Sequence, residues 1–330
     1  MIACMPSTEH PLHWKKIFAE SYVGLQQLAP KMLDDNRYDD QYEHVDSLFP
    51  IQLSHQLLER FPLDHPVLKQ YLPDLKELIN PPGYGDDPVG DQQATLEGGM
   101  IKKYQHRALL ITNSTCPIHC RYCFRKDYPY SQQTPQRHRF DIALKQMQED
   151  ASLHEIILSG GDPLSLDDEL LDDLITSIDK IAHIKTLRLH TKFPSIYPQR
   201  ITDSLIKTLS NCRLNTVCVF HVNHDEEIND DFNQAASKLK SAGVILLNQS
   251  VLLKQVNDNS DTLIQLSHKL FAAGILPYYL HLLDKARGTH HFYVDKVRAE
   301  SILTEMKREL PGYLVPKLAQ EVAGLDSKDY

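Results

Sequence analysis

The sequence predicts an α/β protein: a partial (β/α)6 barrel with an N-terminal helical segment before it and a short C-terminal tail after it. Six short apolar, β-branched runs begin at residue 108 and, after the first interval, recur about every 30 residues. Amphipathic helical stretches separate them, which makes consecutive strands parallel, and right-handed crossovers curl such a sheet. Three cysteines follow the first run, at the carboxyl end of a strand, where barrels of this type carry their chemistry.

From about residue 11 to 80 the pattern is helical, with Trp14, Ile17, Phe18, Tyr22, Leu25 and Leu28 at near-helical spacing. Pro50-Ile51 reads as the opening of another helix, because proline suits a first helical position. The run PPGYGDDPVGD at 81–91 is dense in turn formers and reads as a linker or surface loop. The chain accordingly divides into a helical cap and linker at 1–94, a barrel at 95–310 and a tail at 311–330. The barrel strands are ALLIT at 108–112, EIILS at 155–159, TLRLH at 186–190, TVCVFHV at 216–222, VILLN at 244–248 and LPYYLHLL at 276–283. Helical stretches lie between, one ending on Gly243, and VDKVRAESILTEMKREL follows the last strand. The tail GYLVPKLAQEVAGLDSKDY has too little apolar surface for a domain, so it docks on the barrel or hangs free.

With 330 residues, 42% of them hydrophobic, the chain is long enough for one sizeable core. No apolar run approaches the roughly 18 residues of a membrane span, and the start MIACMPSTEHPLHWKK lacks the basic-then-apolar order of a secretory signal. Cytoplasmic location without membrane contact is the expectation. A net charge of −9 argues against a nucleic-acid surface. Six cysteines fit a reducing compartment, with Cys4, Cys212 and Cys218 as structural thiols.

Cys116, Cys120 and Cys123 are the other three. A loop brings thiolates at this spacing to one point, which suits three corners of a cubane iron–sulfur cluster. Structural zinc normally takes four protein ligands; an open fourth corner instead suits an iron that binds a small molecule. The competing readings are three plain buried cysteines or a zinc knuckle completed by His119. After the second strand, Gly160-Gly161-Asp162 forms a turn whose glycines let backbone approach a ligand. His221-Val222-Asn223-His224, then Asn248-Gln249-Ser250, then Asp284 bring polar groups to the same rim.

The cysteine spacing resembles that of the radical S-adenosylmethionine enzymes, whose open iron takes the amino and carboxylate groups of S-adenosylmethionine. From about residue 95 onward the chain is similar to the lysine 2,3-aminomutases, a radical S-adenosylmethionine family that also uses pyridoxal 5'-phosphate. YQHRALLITNSTCPIHCRYCFRK, ILSGGDPLSL, YPQRIT, AGVILLNQSVLLKQVND, LLDKARGTHHF and GYLVP followed by a lysine carry the resemblance. It implies a 4Fe-4S cluster on Cys116, Cys120 and Cys123, Arg125 on the substrate carboxylate, and Arg107 on the pyridoxal phosphate group. It makes Lys328 the Schiff-base lysine and Asp284 and Glu321 the clamp on the far ammonium of lysine. Gly160, Gly161, Asp162 and Gln249 complete the cofactor-binding set.

Departures from the family pattern are a Val322–Ser327 run where glycines are common, and glutamate rather than aspartate at Glu321. Lys317 is the alternative to Lys328. No cysteine follows Cys218, so assembly through the zinc-binding extension of the long catabolic enzymes is not expected. VPKLAQE resembles the bacterial subgroup that makes (R)-β-lysine for modification of elongation factor P. That implies free L-lysine as substrate, an external electron donor, and a product used by an elongation factor P lysine ligase. Alternatives are an aminomutase for another amino acid, β-lysine made for catabolism or as an osmolyte, or a non-catalytic iron–sulfur electron-transfer or binding protein.

Overall fold

The computed structural model describes residues 13–20, 22–35, 38–133, 140–325 and 327–330; Cys4 lies outside them. Among the described residues ten strands are formed: β1 (Tyr22–Val23), β2 (Leu53–Ser54), β3 (Met100–Tyr104), β4 (Arg107–Ile111), β5 (Glu155–Ser159), β6 (Thr186–Thr191), β7 (Asn215–Phe220), β8 (Ile245–Val251), β9 (Leu276–His281) and β10 (Lys317–Ala319). The last eight make one sheet in the order β10-β9-β8-β7-β6-β5-β4-β3. All neighbours from β4 to β10 are parallel, and only β3 pairs antiparallel, with β4.

All six predicted barrel strands are present as β4 to β9, and two more extend the sheet. β3 forms a hairpin with β4 at one edge. At the other edge the tail docks as β10, parallel to β9. The sheet does not close through backbone pairing. Its edges are instead linked by side chains, because Tyr104 at the end of β3 donates to Glu321, just past β10, at 2.7 Å.

Helices at 168–179, 203–211, 230–241, 260–272 and 296–309 cover the sheet. Four start at a side-chain cap that accepts from a backbone N–H three residues on: Thr202 from Leu205, Asn229 from Phe232, Asn259 from Thr262 and Asp295 from Arg298. Gly243 ends the third of these at φ +81°, a conformation that favours glycine. β5 is buried at four of its five residues, as a strand covered on both faces requires.

The N-terminal segment differs from the predicted run of helices. Its helices are short, at 13–20, 25–34, 41–48, 55–60 and 66–69, and Tyr22 lies in the two-stranded sheet β1–β2. Pro50-Ile51 does not open a helix. Ile51 is buried in extended chain, and the helix starts at His55 after Ser54 in the extended conformation. Trp14, Leu28, Ile51, Leu53 and Tyr71 share one apolar core with barrel residues such as Ile156, Leu187 and Phe220. Residues 81–91 are also not a solvated spacer, since Val89 and Asp91 are buried and Gly85 exchanges backbone hydrogen bonds with Lys285 and Arg287 at 3.0 Å each.

Candidate active site

The carboxyl end of β4 leads into Cys116, Cys120 and Cys123, all unpaired in disulfides. Burial raises the affinity of each thiol for its proton, and that of Cys120 is pushed up to about 12. A charge on Cys123 opposes ionisation of Cys116 and Cys120, and a charge on Cys120 opposes that of Cys116. Three half-buried thiols on one loop fit three corners of a 4Fe-4S cluster, whose iron stabilises thiolate over thiol. They do not all fall within 4.8 Å of one another, as ligands of a single ion would. His119 turns away from a fourth corner: its Nδ1 meets the carbonyl of Pro50 at 2.8 Å and its ring stacks on Phe49.

The loop is clamped from below. Arg121 is fully buried and gives Glu77 hydrogen bonds of 3.0 Å from Nε and 2.6 Å from Nη2, while Nη1 donates to the Phe49 carbonyl at 2.8 Å. The turn after β5 braces the loop's other flank. A Cβ at Gly161 would lie 2.3 Å from the Thr115 carbonyl oxygen, and one at Gly160 2.7 Å from that of Asn113. These glycines therefore admit the chain's own backbone. Asp162 is buried and accepts from Leu164 N, Thr191 Oγ1 and Lys192 N at 2.7 to 3.0 Å, so its carboxylate ties β5 to β6. Desolvation pushes its carboxyl up to about 6 despite these donors.

Farther round the rim, His221 Nε2 meets the Tyr122 hydroxyl at 2.8 Å, and burial lowers the pKa of that imidazole to about 3, keeping it neutral. Asn223 and Asn248 are buried and spent on internal hydrogen bonds. Gln249 is half-buried on β8.

Three cations and three carboxylates meet where β9, β10 and the 81–91 segment converge. Arg125 Nε lies 2.5 Å from Asp91 Oδ2, and Lys103 Nζ lies 2.5 Å from Asp91 Oδ1. Lys103 reaches Glu321 Oε1 at 3.5 Å, and Lys328 Nζ lies 3.3 Å from Glu321 Oε2. Burial works against charge on Glu321, but Lys328, Tyr104 and Lys103 outweigh it and hold the acid below its ordinary range. Lys328 stands over the Tyr279 ring at 5.3 Å, and burial lowers its affinity for a proton although Glu321 and Asp284 oppose this. Asp284 is the exception in the group. Among the described residues none hydrogen-bonds its carboxylate, and desolvation pushes it up to about 7.

Lys328 is held in place although it lies near the last residue. Gln320 and Asp329 exchange backbone hydrogen bonds of 2.9 and 3.0 Å, which closes residues 321–328 into a loop and sets Lys328 opposite Glu321. Lys317 is exposed on β10, over the Tyr330 ring. Arg107 stacks on Tyr104 at 4.2 Å, beside the same group. Asp91, Lys103 and Tyr104 carried no signal in the sequence: the first sits in a stretch that reads as a linker, the others in an ordinary edge strand.

Residues 106–238 match a family model described as a 4Fe-4S single cluster domain. The L-lysine 2,3-aminomutase of Buchnera aphidicola subsp. Baizongia pistaciae is 43% identical over 290 residues, covering 87% of this chain and 85% of that protein. The L-lysine 2,3-aminomutase of Escherichia coli is 42% identical over 284 residues, covering 85% of this chain and 83% of that one. Among solved structures, the radical S-adenosylmethionine methyltransferase TsrM of Kitasatospora setae, with cobalamin and a 4Fe-4S cluster bound, aligns at a TM-score of 0.37 and 10% identity over 52% of this chain and 36% of its own. With two relatives above 40% identity along most of both chains, this chain belongs to the L-lysine 2,3-aminomutase family of radical S-adenosylmethionine isomerases.

Proposed function

We propose that the protein converts free L-lysine to β-lysine, using pyridoxal 5'-phosphate on Lys328 beside the cluster and S-adenosylmethionine. The observation that carries the substrate is Asp284. A half-buried carboxylate without a hydrogen-bond partner among the described residues, next to Glu321 and only partly offset by Lys328 and Lys103, is a site that the far ammonium of a diamino acid completes. A monoamino acid would leave it unanswered, so the same group rejects substrates without a second amine.

The cluster with S-adenosylmethionine supplies hydrogen abstraction from carbon, and pyridoxal phosphate supplies the carbonyl carrier for the migrating amino group. The protein's part is positioning. Arg125 offers Nη2, which among the described residues has no hydrogen-bond partner, to the substrate carboxylate, while Asp91 fixes its Nε edge. Asp284 and Glu321 hold the far ammonium. Burial favours the neutral, nucleophilic amine of Lys328, and Arg107 is placed to take a phosphate. Backbone of Gly160 and Gly161, Asp162 and Gln249 form the S-adenosylmethionine side. In this reading the described parts of the N-terminal cap and of the C-terminal tail act as lids on the barrel mouth and keep water from the reacting carbon.

The VPKLAQE segment supports the (R) isomer, made in the cytoplasm with electrons from an external donor and passed to a ligase that modifies elongation factor P. The test is anaerobic reconstitution with iron, sulfide, pyridoxal phosphate, S-adenosylmethionine, dithionite and L-lysine, followed by chiral chromatography. (R)-β-lysine is the expected product. Cleavage of S-adenosylmethionine without β-lysine would remove lysine as substrate.

A further inference from the structure

Beneath the cysteine loop lies a buried ion pair that the proposed chemistry leaves unused. Lys192, the first residue after β6, and Glu227 are 7% and 1% exposed, with Nζ 2.6 Å from Oε2. Lys192 Nζ also donates to the His221 carbonyl at 2.8 Å and stands over the Tyr71 ring. Glu227 accepts from Tyr71 Oη at 3.2 Å, Gln70 Nε2 at 3.3 Å, Asn223 N at 2.9 Å and His224 N at 3.0 Å.

This pair is joined to the cluster loop by two routes. Asn223, whose backbone N–H binds Glu227, donates from Nδ2 to the Tyr122 hydroxyl at 2.7 Å. His221, whose carbonyl binds Lys192, meets that hydroxyl through Nε2 at 2.8 Å. Tyr122 stands between Cys120 and Cys123, and Arg121 N donates to the Gln70 carbonyl at 2.8 Å. We propose that the Lys192–Glu227 pair sets the reduction potential of the 4Fe-4S cluster, with Tyr122 as the strut that fixes the pair beneath the cysteine loop.

Lys192 and Glu227 carry opposite fixed charges, and each is tied by hydrogen bonds through His221 or Asn223 to Tyr122, between Cys120 and Cys123. Reduction adds one negative charge at the cluster, and in a low-dielectric interior a fixed cation beneath the cysteine loop favours the reduced form. Removing the cation and removing the anion must then act in opposite directions, a signature that general loosening of the fold does not produce.

The test is an EPR-monitored redox titration of the reconstituted, anaerobic holoenzyme, with variants compared at matched iron and sulfide content. Lys192→Met is expected to move the midpoint potential to more negative values and Glu227→Gln to more positive ones. The double variant is expected to return toward wild type, and Lys192→Arg to stay there. Shifts of the same sign, or unchanged potentials in loaded single variants, would overturn the proposal. If Lys192→Met does not take up iron, Lys192→Gln keeps a donor for the His221 carbonyl and is read for the same negative shift. Loss of iron from every neutral variant with retention in Lys192→Arg would make the pair a folding element and equally overturn it.

Discussion

The two sides of the barrel mouth are completed to different degrees. Under the cysteine loop, charged groups answer one another: Arg121 with Glu77, Lys192 with Glu227, and Asp162 with three donors. At the tail side, Glu321 has Tyr104 and Lys328, but Asp284 has no partner among the described residues. The first side is built around donors and acceptors from its own chain. The second holds a carboxylate that no side chain hydrogen-bonds among the described residues and that Lys328 and Lys103 offset only in part. A cofactor retained through every turnover suits the first, and a substrate that enters and leaves suits the second.

The largest effect should come from the amine at the tail side. Lys328→Ala is expected to cut β-lysine formation by roughly a thousandfold or more, while Lys317→Ala leaves it within about twofold. Absorbance of bound pyridoxal phosphate, lost in the first and kept in the second, checks the assignment. Equal losses in both would move the carrier site.

Breaking the saturated side should cost stability. Glu77→Gln strands the buried Arg121 guanidinium, and about 3–5 kcal/mol of folding free energy should be lost, measured by denaturant titration of the anaerobic holoenzyme. A loss below about 1 kcal/mol would mean that water or a rearranged backbone answers the arginine.

Asp284→Asn should do the reverse. Removing a half-buried acid that makes no hydrogen bond should not destabilise the protein, yet KM for lysine should rise roughly 10- to 100-fold, the worth of a hydrogen bond to a charged group. The pH dependence follows from the raised carboxyl. Asp284 is protonated below about 7 and cannot hold an ammonium, so KM should fall as pH rises through that value. Without substrate the folded state keeps a proton that the unfolded chain has released, so this group's contribution to stability declines as pH rises from the ordinary carboxyl range to about 7. Both trends should flatten in Asp284→Asn; an unchanged pH profile would assign them to another group.

The smallest effect tests how the 81–91 segment seats the tail. Gly90 has φ +71°, and a Cβ there would lie 3.3 Å from that of Ala323. Gly90→Ala should cost about 1 kcal/mol and raise KM for lysine less than threefold. No change in melting temperature would show that the tail accommodates the methyl group.

What could be read from the chain was local. The six strands announced themselves because a buried strand needs a short β-branched run, and Gly243 marked a helix stop because its φ of +81° favours glycine. Pro50-Ile51 misled because proline suits extended chain as well as a first turn. Residues 81–91 misled because turn formers say nothing about whether the turn is covered. The glycines after β5 read as letting backbone approach a ligand, whereas a Cβ there would meet the backbone of Asn113 and Thr115, which no local pattern names.

The sequence by itself determined the cysteine spacing and the alternating strands and helices, because each is a matter of residue type and short spacing; Lys328, Asp284 and Glu321 were singled out by the resemblance alone. Only the tertiary structure decided their pairing. Tyr104 and Glu321 are 217 positions apart, and their hydrogen bond exists because the sheet curls its two edges together. Asp91 becomes the partner of Arg125 only when residues 81–91 fold back over the mouth, and Lys192 meets Glu227 only because β6 and β7 are neighbours. Charge pairing depends on distance in space, and no short pattern along a chain records that distance.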